Sequence, residues 1–194
     1  IHWTRTNIRF DQMSKEFAQI GCAWAPETVY DPATGRMMIY FTMRFGNEQN
    51  RLYYVYVNQD FNRIESIPQI LFEYPSGASA IDGDITPIWN EERQKMEYHL
   101  FYVAHESGSG IKQAVSDRID GSYRFDPRWI DFEPVACEAP NVWKRIGEDK
   151  WVLMYDIFGI NPHNFGFVET SDFVHFKNLG RFNEGVMKTT NFRS

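Results

Sequence analysis

Three short segments recur at a fixed spacing, each with a carboxylate, and in two of them it stands at the anchor itself, where it could do chemistry. They are Trp24-Ala25-Pro26-Glu27, Ile81-Asp82-Gly83-Asp84 and Cys137-Glu138-Ala139-Pro140. Pro26, Gly83 and Pro140 follow one another at intervals of 57 residues. An acidic side chain set among Trp, Ile, Ala and Pro is poorly solvated, and desolvation raises a carboxyl pKa. A general acid working near neutral pH requires that shift. Asp82 and Glu138, read as matched positions of adjacent repeats, are the candidate pair. Singly, either would serve as an acceptor for neighbouring backbone; jointly they read as functional. Asp84 reads as a local turn group or a support for its neighbours. Trp24 reads equally as a sugar-stacking platform or as core. The five histidines show no metal-ligand spacing. Gly108-Ser109-Gly110 has no following helix or Lys, which makes it a hairpin loop rather than a phosphate cradle. No Ser, Cys or His triad suggests itself.

The elements that must position these residues follow the same period. After each anchor come a turn and an apolar strand, over 37–43, 96–104 and 151–156, and then a second strand, near 52–57, 111–115 and 165–168. Asp31-Pro32-Ala33-Thr34-Gly35 is the clearest of the turns. Several short strands per unit, repeated at one spacing, predict a β-propeller. No segment has sustained helical periodicity. The anchors are expected to precede the innermost strand of each blade and so to converge at one end of the central axis, forming the main concave pocket there. The expected blades are 24–80, 81–137 and 138–194. Residues 1–23 are expected to be the end of a preceding blade and a connector, because Ile1-His2-Trp3 echoes Val174-His175-Phe176 about three periods later. Residues 1–7 would be an outer strand of that blade. Rings of this kind close with about 4–8 blades, so three and a fraction predict part of a larger propeller.

Composition sets the bounds. At 194 residues, with 16% aromatic side chains, the chain suits one β-rich domain with a sizeable core. A net charge of −6 gives no basic face for nucleic acid. No run of about 18 apolar residues is present to span a membrane. Cys22 and Cys137 sit beside anchors two repeats apart, which predicts buried free thiols rather than a disulfide.

His2-Trp3, Trp24-Ala25-Pro26-Glu27 with Tyr30-Asp31, Ala80-Ile81-Asp82, and Glu138-Ala139-Pro140 with Lys144 together resemble glycoside hydrolase family 43, from end to end of the chain. The resemblance implies an all-β, five-bladed propeller, of which this chain covers about three and a fraction blades. It implies an inverting, exo-acting glycosidase of the arabinofuranosidase or xylosidase kind, acting on arabinose- or xylose-containing plant polysaccharides or oligosaccharides. On the family pattern Glu138 matches the general acid and Asp82 the carboxylate that tunes and orients it. The base would be an Asp of a blade upstream of Ile1. No cofactor is implied for this segment, although some members hold a cation near the axis at a His-Gly segment of the last blade. Secretion or a periplasmic location follows from the resemblance alone. Gly83 stands where Pro is common in the family, and Ala139 where Gly is common. One alternative is a carbohydrate-binding propeller without catalysis. Another is a retaining fructan hydrolase, whose acid is usually followed by Cys, whereas Cys137 precedes Glu138 here.

Overall fold

The computed structural model describes residues 2–182. Twelve strands form three antiparallel four-stranded sheets in simple meander order. The first sheet comprises β1 (Ile20–Asp31), β2 (Arg36–Phe45), β3 (Arg51–Val57) and β4 (Gln69–Phe72). The second comprises β5 (Ala80–Asn90), β6 (Lys95–Ala104), β7 (Gly110–Ser116) and β8 (Arg124–Asp126). The third comprises β9 (Glu138–Lys144), β10 (Trp151–Ile157), β11 (Asn164–Thr170) and β12 (Lys177–Arg181). These are three successive blades of a β-propeller. The expected end of the third blade at 183–194 lies outside the described residues.

Local chemistry sets the hairpins. In the β1–β2 turn the Asp31 carboxylate accepts from the Ala33 N–H at 2.9 Å, the Thr34 hydroxyl at 2.7 Å and the Tyr56 hydroxyl at 2.6 Å. Gly35 completes the turn at φ 69°, a backbone conformation that glycine adopts without steric cost. The buried Asp31 thereby ties the turn to β3, and these hydrogen bonds hold its carboxyl below the ordinary range against the opposing effect of burial.

Alternation along the strands builds the packing between blades. Leu100, Tyr102 and Ala104 of β6 meet Met38, Tyr40 and Leu52 of the first blade, while Phe101 and Val103 meet Leu153, Tyr155 and Ile157 of the third. The middle blade is therefore apolar on both faces. The far face of the first blade, with Phe41, Met43 and Tyr53, is covered by Phe10, Met13 and Phe17 from two 3-10 turns at 10–12 and 17–19. Phe10 stacks on Phe41 with ring centroids 5.1 Å apart.

Two expectations are corrected. The strands over 37–43, 96–104 and 151–156 are second in their sheets; the anchors themselves form the first, edge strands β1, β5 and β9. Proline at the anchors misleads a reading for strands, because a strand tolerates Pro only where its N–H would face away from a partner. An edge position satisfies that condition. Residues 2–9 form no strand, so the outer strand expected over 1–7 is not formed among the described residues.

Candidate active site

Each anchor is a β-bulge. Pairing with the second strand slips between Trp24 and Glu27, between Ile81 and Asp84, and between Glu138 and Asn141. In each slip one residue takes a left-handed backbone: Ala25 at φ 49°, Asp82 at 53° and Ala139 at 51°. These three are spaced by 57 and are equivalent. The expectation that Asp82 and Glu138 occupy matched positions is thus corrected. Asp82 matches Ala139, and Glu138 matches Ile81 and Trp24, because the extra residue of the bulge turns consecutive side chains in different directions.

In β5 and β9 the bulges leave backbone N–H groups without ladder partners, and the preceding blade offers them acceptors. The Asp82 N–H donates to Thr42 Oγ1 and the Ile85 N–H to the Tyr40 hydroxyl, both at 3.0 Å. One blade on, the Ala139 N–H works against the rise of the Asp82 pKa. The Val142 N–H donates to Asp84 Oδ2 at 2.7 Å, and Asn141 Nδ2 to the same oxygen at 3.2 Å. Equivalent donors are held by neutral hydroxyls at the first interface and by carboxylates at the second. Two negative charges are thereby placed beside the strand that carries Glu138.

Burial pushes the Glu138 carboxyl above its ordinary range. The charges of Asp82 and of Asp156, its partner in the β9–β10 register, push it further up, and His163 opposes them. Burial also raises Asp82, against the Ala139 N–H and His105. Asp84, buried beside the Glu27 charge, is pushed up to about 6 by burial first, with the Val142 N–H opposing. The arrangement therefore biases a half-buried acid toward its protonated form, beside the charge of a carboxylate on a neighbouring blade.

Segments 25–27, 82–83 and 139–141 line a concavity of about 260 Å³ where the three edge strands converge. The expectation of a main pocket walled by Trp24 and Glu138 is corrected. Neither residue lines this concavity, and concavities of 640 Å³ and 480 Å³ lie elsewhere, beside Tyr30 and beside Trp143. Three blades leave the axis open on one side, so the axial hollow is shallow. It is nonetheless where the neighbouring carboxyls with raised pKa values gather. Trp24 is 40% exposed. Cys22 and Cys137 are free, with Cys137 buried and Cys22 only partly so. Among the described residues no group of three or more His, Cys, Asp or Glu is placed to hold a metal ion.

Sequence reasoning passed over Asp156, Glu27, His105 and His163. Hairpin register could have found Asp156: counting back from Trp151 opposite Lys144 and allowing one bulge residue places it across from Glu138.

The fold and site define a β-propeller domain whose edge strands bring acidic residues of neighbouring blades together near the axis. The chain belongs to the family-43-related group described as a probable glycosyl hydrolase domain, whose profile matches residues 1–191. Among curated proteins nothing matches. A thermostable family-43 glycoside hydrolase is similar in structure, with a TM-score of 0.60 and 14% identity over 81% of this chain and 58% of that one. An endo-arabinase from Bacteroides thetaiotaomicron VPI-5482 has a TM-score of 0.58 and 13% identity, over 75% and 55%. An alpha-L-arabinofuranosidase from Lactobacillus brevis has a TM-score of 0.57 and 21% identity, over 80% and 54%. These likenesses show the fold. The chain spans little more than half the length of these proteins.

Proposed function

We propose that this chain is part of the catalytic domain of an inverting glycoside hydrolase that acts from the ends of arabinose- or xylose-containing plant polysaccharides or oligosaccharides. The observation that carries the reading is Glu138, a half-buried acid with its pKa raised by burial and by the Asp82 charge, at the axis of a propeller. Of the similar structures, one is an arabinofuranosidase and another an endo-arabinase, which favours an arabinose-containing substrate and leaves the choice between terminal and internal attack to experiment.

In the reaction Glu138 gives its proton to the glycosidic oxygen as the bond from that oxygen to the anomeric carbon breaks. A water attacks the opposite face of the sugar and loses its proton to a base carboxylate, giving inverted configuration. The base is supplied from outside this segment, as the family resemblance implies. Asp82 keeps Glu138 protonated, because like charges in a poorly solvated site do not both ionise easily. Trp24 offers an exposed ring for the apolar face of a sugar.

The test is Glu138→Gln in the full-length protein, on an oligosaccharide and on an aryl glycoside with an activated leaving group. The variant should lose about 10²–10⁴-fold in kcat/KM on the oligosaccharide. It should lose much less on the aryl substrate, which needs little protonation. Equal losses on both would remove Glu138 from the acid role. A protein that binds but does not cleave either substrate would be the non-catalytic carbohydrate-binding propeller instead.

A further inference from the structure

We propose that Asp84 is the positioning residue for Glu138, holding the strand start that carries the acid from the blade before it. This rests on the acid role given above to Glu138. β9 is an edge strand, so the Val142 N–H points away from β10 and has no ladder partner. Pro140 has no N–H at all. Among the described residues, the hydrogen bonds that tie this stretch to its neighbour blade are those from Val142 and Asn141 to Asp84. Glu138 lies directly ahead of this stretch.

The comparison with the preceding blade gives the argument its force. There the equivalent donor, the Ile85 N–H, is held at 3.0 Å by the Tyr40 hydroxyl, which carries no charge. Asp84 does the same task at 2.7 Å and adds a second bond. Hydrogen bonds to ionised acceptors are shorter and stronger than neutral ones. Asp84 is buried and, among the described residues, forms no ion pair with a cation; Glu27 of β1, the Tyr40 hydroxyl of β2 and Thr86 of its own strand face it. A neutral group would hold the backbone at less cost in desolvation, and the blade behind it shows one doing so. The costlier and firmer clasp stands only where the acid is carried, which is where small displacements matter most.

The experiment compares Asp84→Ala and Asp84→Asn in the full-length protein. The Asn carboxamide oxygen still accepts from Val142, so Asp84→Asn keeps the clasp without its charge. Asp84→Ala should lose about 10–100-fold in kcat on the oligosaccharide, the scale of a misplaced catalytic group. KM should stay near the wild-type value, the loss on the activated aryl glycoside should be several-fold smaller, and Asp84→Asn should recover most of the activity. Equal losses on both substrates, or no recovery by Asp84→Asn, would overturn the proposal. If Asp84→Ala does not fold, Asn141→Ala removes one of the two donors and must show the same leaving-group dependence at smaller size; equal losses there count against the proposal in the same way. If the wild type cleaves no glycoside, the hydrolase reading fails separately. The clasp is then read from the Glu138 carboxyl titration by NMR, which Asp84→Ala must move further than Asp84→Asn; equal shifts in the two variants overturn it.

Discussion

Asp82 and Ala139 occupy one and the same position in consecutive blades, with φ of 53° and 51°, and the N–H of the second opposes the rise that burial gives the carboxyl pKa of the first. Glu138 is therefore not the counterpart of Asp82 but the residue before that counterpart. The acid reaches Asp82 across the blade interface because a bulge turns the chain there. From this relationship come expectations for each of the carboxyls and for the bulge itself.

Asp82→Asn should move the alkaline limb of kcat/KM toward lower pH, besides slowing the reaction. A general acid is active while protonated, so activity falls as pH rises through its pKa. Burial is the first cause of the raised Glu138 pKa and the Asp82 charge the second, so removing that charge lowers the pKa only partway. Asn is the right replacement because it tolerates the left-handed backbone at this position as Asp does. A pH profile with its alkaline limb in the wild-type place would show that Asp82 does not act on Glu138 through its charge.

Asp84→Asn should stabilise the protein above neutral pH. The folded-state pKa of Asp84, about 6, stands above the ordinary 3.8. Its contribution to stability is therefore fully present below about pH 4 and is lost as pH rises through about 6. A shift of roughly two units corresponds to about 3 kcal/mol. Denaturant midpoints of wild type and variant, taken from pH 4 to pH 8, should diverge by an amount on that order, with the wild type falling behind as pH rises. A constant gap between the two curves would mean that Asp84 does not titrate in this interval.

Ala139→Gly should leave stability unchanged or raise it by up to about 1 kcal/mol. An L-residue at a left-handed backbone costs about 1–2 kcal/mol, and glycine's extra freedom in the unfolded chain returns about 0.5–1 of that. Thermal or urea unfolding measures the difference. A clear loss would show that the Ala139 methyl makes contacts that outweigh the backbone strain. The resemblance to family 43, where Gly is common at this place, has its physical reason in the same φ.

The sequence by itself determined the repeat, its period and the all-β architecture. Turn chemistry such as Asp31-to-Gly35 and alternation such as Met38-Tyr40-Thr42 are local, and local spacing is what a sequence displays directly. It also displayed Asp82, Glu138 and Trp24 as residues of interest, because carboxylates and an aromatic ring among apolar anchors stand out by type alone. The tertiary structure decided which of them correspond. A bulge adds one residue to one strand, and one residue of slip carries each side chain to another face. The period of 57 fits Asp82 to Ala139, yet nothing in the residue types distinguishes that match from a match to Glu138. The partner of Asp84 was equally out of reach of the sequence: Val142 lies in the next blade, 58 positions away. Only the packing of one sheet on the next brings that carboxylate to an edge-strand N–H with no partner of its own.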